Sequence, residues 1–288
     1  MPMQRVLDYL ARVTQVDLSA FSPLYFGPTQ LGWVNAEWRA RLLAGESQLF
    51  AAEGERLCCL AEGSYQDISA ALAAAARRWQ AAGWLNGWRD ENFQACREDG
   101  TPLFELERAA FRPLGLTSRA VHLNGLSRMA DGEVRMWLGR RSPHKAVDPN
   151  RMDNMVGGGV AAGETIATAR AREGWEEAGL SAALLAEARQ DTLLLAERPV
   201  ARGLHREWLH VFDIWLPLGV VPCNQDGEVA EHCCLPLAEV ESLLVAGRFM
   251  IDAALVAADC LARLGYWGED GRLVRAACNR AAAGCLSE

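Results

Sequence analysis

Between Gly157 and Leu180 the chain reads GGGVAAGETIATARAREGWEEAGL, three glycines followed by a segment that crowds Glu173, Glu176 and Glu177 beside Arg172. Alanines and charged residues predominate after Glu164, and apolar spacing supports one amphipathic helix over 164–178. On a helix, residues three and four apart share a face with Cβ atoms roughly 5–6 Å apart, so these three carboxylates converge. Like charges so placed repel unless a cation lies among them. Oxygen-only ligands suit a hard divalent ion, Mg²⁺ or Mn²⁺, which retains waters and binds phosphates. A solvated acidic helix face is the plain alternative, but it leaves the rest of the stretch unexplained. Gly158, Glu164, Arg172, Glu173, Glu176, Glu177 and Gly179 satisfy G-x5-E-x7-R-E-U-x-E-E-x-G-U, where U is apolar. Seven specified positions match by chance in such a chain on the order of once in a million.

That pattern is the signature of the Nudix hydrolases, which this sequence resembles at every charged and glycine position. It departs at the first U, Gly174, where the family has an apolar side chain. The expectation is a local loss of packing, with Trp175 as the compensating bulky neighbour. The resemblance implies an α/β/α sandwich with a mixed sheet, and cleavage of a diphosphate by water attack on phosphorus. Position by position, it makes Glu173, Glu176 and Glu177 the metal ligands and Arg172 the group that holds a glutamate in place. It puts Glu164 near the metal and has Gly158 and Gly159 let the backbone approach the site. Glu228 and Glu231, in QDGEVAEH, are candidates for the base or an added ligand, against the plain reading of a solvated loop. A competing motif, GGGVAA as a dinucleotide-binding turn, fails because the preceding NRMDNMV is too polar for the buried strand such a turn follows.

The 288 residues allow two domains. Residues 1–118 mix helical and strand patterns and read as a smaller α+β unit. Leu7, Leu10 and Val13 fit one face of a first helix, and Ile68, Leu72, Ala75, Ala76 and Trp79 one face of a longer helix. FQACRE and LFELER read as strands joined by a turn at Asp99 and Gly100. Trp33, Trp38, Trp79, Trp84 and Trp88 fall in this unit, where core packing is their default role, and Trp88 is also a candidate to stack on a substrate ring. Residues 119–288 read as the Nudix domain. Four strand-like runs, AVHLNGL, EVRMWLGRR, DTLLLAER and EWLHVFDIWL, surround the signature helix, and two closing helices are expected over 236–246 and 250–265.

The similarity extends through GWRDENFQAC, LFELERAAF, LGRRSPHKAVDPNRMDNMVGGGV and FMIDAALVAADCLARLGYW. These look like the Nudix subfamily with an extra N-terminal domain, related to the Nudix part of a fungal thiamine pyrophosphokinase. That resemblance implies hydrolysis of thiamine diphosphate, or its oxidised and oxy analogues, to the monophosphate. Pyrophosphatase action on ADP-ribose or another nucleoside diphosphate derivative is one alternative. An isoprenyl diphosphate isomerase-like enzyme and a non-catalytic ligand sensor are others. Arg140, Arg141 and Lys145, in RRSPHK, are candidates to reach substrate phosphates, the arginines by two-pronged contact and the lysine as a point charge. Asp153 and Asn154 are expected to cap or orient the signature strand. His122 reads as a structural, hydrogen-bonded histidine, and His144, His205, His210 and His232 lack metal-like spacing.

A net charge of −8 and a pI near 5.3 argue against a nucleic-acid binder, which needs a concentrated basic face. Nine cysteines with no CxxC indicate neither a disulfide framework nor a zinc ribbon. The first twenty residues carry charges through their apolar positions, unlike a secretory leader, and no apolar run reaches membrane-spanning length. The expected partner is a small-molecule diphosphate, with no nucleic acid and no membrane. The expected compartment is the cytoplasm, and a homodimer is compatible with the sequence.

Overall fold

The computed structural model describes residues 2–97, 99–145, 147–186 and 188–279. A first helix, α1 (Pro2–Val13), leads into strands β1 (Phe21–Phe26) and β2 (Thr29–Asn35), then α2 (Ala36–Gly45), β3 (Phe50–Glu53) and β4 (Arg56–Cys59). The four strands form one sheet in the order β2-β1-β4-β3. Helix α3 (Tyr65–Ala81) starts at a capping box in which Ser64 and Asp67 satisfy each other's backbone N–H. Leu72, Ala75, Ala76 and Trp79 are its buried stripe, as their spacing requires. Trp38 is buried with Trp79, whereas Trp33, Trp84 and Trp88 are half-buried. The buried Trp79 indole donates to Glu46 (3.1 Å), which Arg78 also grips. The expected hairpin is β5 (Asn92–Cys96) with β6 (Pro102–Glu107), turning at Gly100 with φ +82°. A short helix, α4 (Phe111–Leu114), ends at Gly115 and hands the chain to the second sheet.

That sheet has seven strands. β7 (Thr117–Arg128), β8 (Val134–Arg141), β9 (Met152–Asn154) and β10 (Val156–Gly159) precede the signature helix α5 (Ile166–Ala178). Helix α6 (Ala182–Ala186), β11 (Gln190–Val200), β12 (Gly203–Trp215), β13 (Val229–Pro236) and helices α7 (Leu237–Val245), α8 (Ile251–Arg263) and α9 (Gly271–Cys278) follow among the described residues. The order is β11-β12-β7-β8-β13, with β10 on β7 and β9 on β8. β7 runs parallel to β12 and antiparallel to β8, so the sheet is mixed. Its two faces feed separate cores. Ala120, Leu126 and Leu138 face α7, α8 and α9, while Val121, Leu123 and Val156 face α5 and α6.

Helix α1 departs from the domain division expected from the sequence. Val6 and Leu10 are fully buried, but in the core shared by the seven-stranded sheet and α7–α9. The apolar stripe predicted a helix correctly; the surface that receives it lies more than 200 residues further along the chain.

Candidate active site

The glycines of β10 are there for close approach. A Cβ on Gly158 would stand 1.9 Å from the carboxyl carbon of Glu173, and one on Gly159 would stand 2.7 Å from the Phe93 ring. The Gly157 N–H donates to Glu177 Oε2 at 2.8 Å. Helix α5 is thus seated against backbone that carries no side chains. Thr165 and Thr168 cap its start and Gly179, with φ +62°, ends it.

Arg172 organises the acidic face. Its Nε and Nη2 donate to the two oxygens of Glu164 (2.8 and 2.9 Å), Nη1 to Glu173 (2.7 Å) and Glu176 (3.2 Å), and Nη2 also to the Gly159 carbonyl (3.1 Å). Glu164, beside this guanidinium, is held below the usual carboxylate range. Glu164 positions the arginine. Burial pushes the Glu173 carboxyl up, with Arg172 opposing. Glu177, 5% exposed, is pushed up to about 8 by burial, then by Asp153 and Glu173.

These residues line a cleft of about 330 Å³ between the two parts of the chain. Arg141 lines it from the end of β8, Lys145 from the loop that follows, and Asp226 and Glu228 from the loop before β13. Lys145 Nζ pairs with Glu228, and burial holds the lysine below its ordinary pKa. Arg141 is committed to structure: Nη1 grips Asp153 (2.6 Å) and Nη2 the Val147 carbonyl (2.9 Å). Arg140 corrects the sequence reading. It lies outside the cleft, paired at the surface with Glu231 at 2.6 Å, because successive residues of β8 point to opposite faces.

Other expectations fall out differently. Trp175 is 56% exposed and compensates for nothing. Leu185 of α6 fills the space at Gly174, where a Cβ would meet its methyls at 2.8 Å. Trp88 does not line the cleft; its indole donates to Asp90 (2.7 Å), while its neighbours Arg89 and Glu91 do line it. Asn154 holds His122 Nδ1 at 2.8 Å and donates to Asn124 (3.1 Å), a buried structural network.

The sequence pointed to Trp88–Glu91 as a stacking segment but not to the charged wall that Arg89 and Glu91 form with Phe93, Arg108 and Arg112 from the N-terminal domain. These residues follow no spacing rule because a loop, a strand and short helical turns bring them together. Sequence reasoning also missed His205, Glu207 and Asp252, whose donor atoms lie within 4.8 Å of one another. That trio is satisfied without a metal. Arg112 Nε donates to His205 Nδ1 (3.1 Å), which leaves Nε2–H to donate to Asp252 (3.1 Å), and Arg198 grips the same carboxylate. Burial alone would raise Asp252; Arg198 and His205 outweigh it and hold the group well below its usual value. Glu173, Glu176 and Glu177 form no cluster that tight. Arg172 lies between the first two, and Glu177 turns to Gly157.

A mixed sheet between helical layers, with a glycine strand seating the carboxylates of the next helix, is the architecture of a Nudix domain. The chain belongs to the Nudix hydrolase family. The NUDIX domain model matches residues 124–255, and residues 3–118 match a domain of unknown function (DUF4743). An uncharacterized Nudix hydrolase of Streptomyces coelicolor is 35% identical over 138 residues, 48% of this chain and 70% of that protein. "Nudix hydrolase 24, chloroplastic" of Arabidopsis thaliana is 33% identical over 196 residues, 64% of this chain; the match spans only 50% of the relative's length. A Deinococcus radiodurans crystal structure aligns with 24% identity over 59% of this chain and 99% of its own, with a TM-score of 0.45. No helix among the described residues is long and apolar enough to cross a membrane.

Proposed function

We propose that the chain is a divalent-metal-dependent hydrolase of a small diphosphate, working in the cleft beside α5. One observation carries this reading: Glu173 and Glu177 are buried carboxylates with too few cations. Arg172 is shared among Glu164, Glu173 and Glu176, and the hydrogen-bond donor to Glu177 is a backbone N–H. Buried carboxylates persist as anions only when paired. An all-oxygen donor set of this kind fits Mg²⁺ or Mn²⁺, with Glu173, Glu176 and Glu177 as the holding residues. Bound there, the ion would neutralise phosphate charge and acidify a water.

The chain's own residues would do the rest. Arg172 would keep the glutamates in place, and the bare backbone at Gly158 and Gly159 would let a phosphate come close. Lys145 would meet the phosphate as a point charge, and Glu228, its partner, is a candidate to take a proton from water. For the substrate we favour thiamine diphosphate or its oxidised and oxy analogues, cleaved to the monophosphate and phosphate. The support is a resemblance that runs through both domains, and a cleft whose volume suits one small heterocycle with its phosphates. ADP-ribose or another nucleoside diphosphate derivative is the second reading, favoured by the arginines on the N-terminal wall. The unpaired cysteines among the described residues support a reducing compartment such as the cytoplasm.

The test is incubation with Mg²⁺ and a panel of thiamine diphosphate, its oxidised forms, ADP-ribose and nucleoside diphosphates, followed by mass. Monophosphate formed fastest from the oxidised thiamine forms is the expected result. Products that keep both phosphates would instead indicate an isomerase. Glu177→Gln should lower turnover by at least about 100-fold while leaving the melting curve cooperative. Unchanged phosphate release in that variant would sink the reading.

A further inference from the structure

The N-terminal wall of the cleft carries positive charge that the fold does not use. Arg108 is paired with Glu91, and Arg172, Arg141 and Arg198 are committed to carboxylates. Arg112 spends only Nε, on the His205 ring; among the described residues its two terminal nitrogens have no partner. The Arg89 guanidinium has no partner among them either. Both line the cleft that holds Glu173 and Glu176.

This wall is built in advance. The carboxylate of Glu107, 3% exposed, accepts backbone N–H groups from Arg89 (3.1 Å), Glu91 (3.2 Å) and Ala109 (3.3 Å). Arg202 Nη1 donates to the Asn86 carbonyl (2.9 Å), fixing the other end of the loop, and Asp90 takes the turn with φ +56°. Arg202 is held below the ordinary arginine range, chiefly by burial and then by Arg112 and Arg108, so Arg112, Arg108 and Arg202 share one electrostatic neighbourhood, and Arg202 in turn grips the loop that carries Arg89. Like charges brought to one cleft from separate segments cost stability, and an anion between them removes that cost.

We propose that Arg89 and Arg112 form an oxyanion subsite through which the N-terminal domain grips the phosphate that stays with the organic half of the substrate. The proposal rests on the diphosphate reading of the α5 site. It gives the domain of unknown function a role: one domain holds the phosphate under attack, the other the phosphate retained. Free inorganic phosphate has the same chemistry and would occupy the subsite more weakly, lacking the organic half.

The test is calorimetric titration of the full chain in EDTA, with inorganic phosphate and then with thiamine monophosphate and AMP. Without a divalent ion, binding reports the cations of the cleft, and the arginine variants separate Arg89 and Arg112 from Lys145. Arg89→Ala and Arg112→Gln should each weaken binding by about tenfold, the worth of one charge-assisted hydrogen bond, while Arg272→Ala on α9 changes nothing. Arg89 lies on an exposed loop, so its variant carries the test even if Arg112→Gln fails to fold. Equal binding in wild type and Arg89→Ala overturns the proposal, as does a wild type that binds none of the three probes at about 10 mM. Tighter binding of a monophosphate ester than of inorganic phosphate assigns the subsite to substrate; the reverse order assigns it to the free ion and overturns the substrate role. A chain that binds through these arginines but hydrolyses nothing would sink the hydrolase reading alone.

Discussion

Glu177 ties the charge state of the site to the stability of the fold. Its carboxyl is raised from 4.5 to about 8 in the metal-free protein, chiefly by burial. A carboxyl with a raised folded-state pKa contributes stability that is complete below its unfolded pKa and is lost as pH climbs through the folded value. Metal-free protein should therefore lose stability between about pH 5 and pH 8, a slope that a divalent ion held by Glu177, as proposed, would offset by favouring the ionised form. Glu177→Gln, neutral at every pH, should flatten that slope in melts recorded in EDTA; a variant as pH-dependent as wild type would show that other groups set it. At this scale the signature spacing singled out Arg172 as the residue that holds a glutamate, and Arg172 is bonded to Glu164, Glu173 and Glu176. It could not tell Arg140 from Arg141. Adjacent residues of a strand face opposite ways, and which one faces the cleft depends on the pairing of β8 with β9 and β13.

Helix α5 and its neighbours show the same division between local and non-local information. Its capping, amphipathic face and Gly179 terminus are written within a few residues of one another, and the helix is where the sequence implied it. Its packing is not local. Gly174 breaks the family pattern because Leu185, on the next helix, occupies the space that an apolar side chain would take. Restoring that side chain by Gly174→Leu should overpack the site and cost about 1–3 kcal/mol. Leu185→Ala alone should cost about 2–5 kcal/mol. The double variant should recover part of the sum in urea unfolding, with a coupling of about 0.5 kcal/mol or more; strict additivity would mean the two residues do not share the space. Strands β1–β4 and β13 were harder to read. Pro23 interrupts the apolar run of β1 and is tolerated because only Leu24–Phe26 pair with β4. β13 is an edge strand with no alternation of buried and exposed residues, so it lacks the period that reveals a strand.

Across the molecule, the junctions between the two domains include the cleft, the α4 connection, the Arg202–Asn86 bond, and α1, which precedes the first sheet yet packs into the C-terminal core. No periodicity could announce that last contact, since a helical stripe shows that a face is buried without showing against what. The contact makes stability travel in an unusual direction. Leu10, fully buried among α7, α8 and α9, should cost about 2–5 kcal/mol when replaced by alanine. The loss should fall on the C-terminal helices. Hydrogen exchange in Leu10→Ala should quicken first in α7 and α9, while α3 and the four-stranded sheet keep their protection. Exchange that quickened first in β1–β4 would place α1 in the N-terminal unit after all. By the same argument a fragment of residues 119–288 should expose the apolar faces of α7 and α9 and aggregate, and a peptide of residues 1–16 added in trans should raise its melting temperature. For a site walled by both domains, α1 is then a further element that ties the N-terminal segment to the core of the seven-stranded sheet.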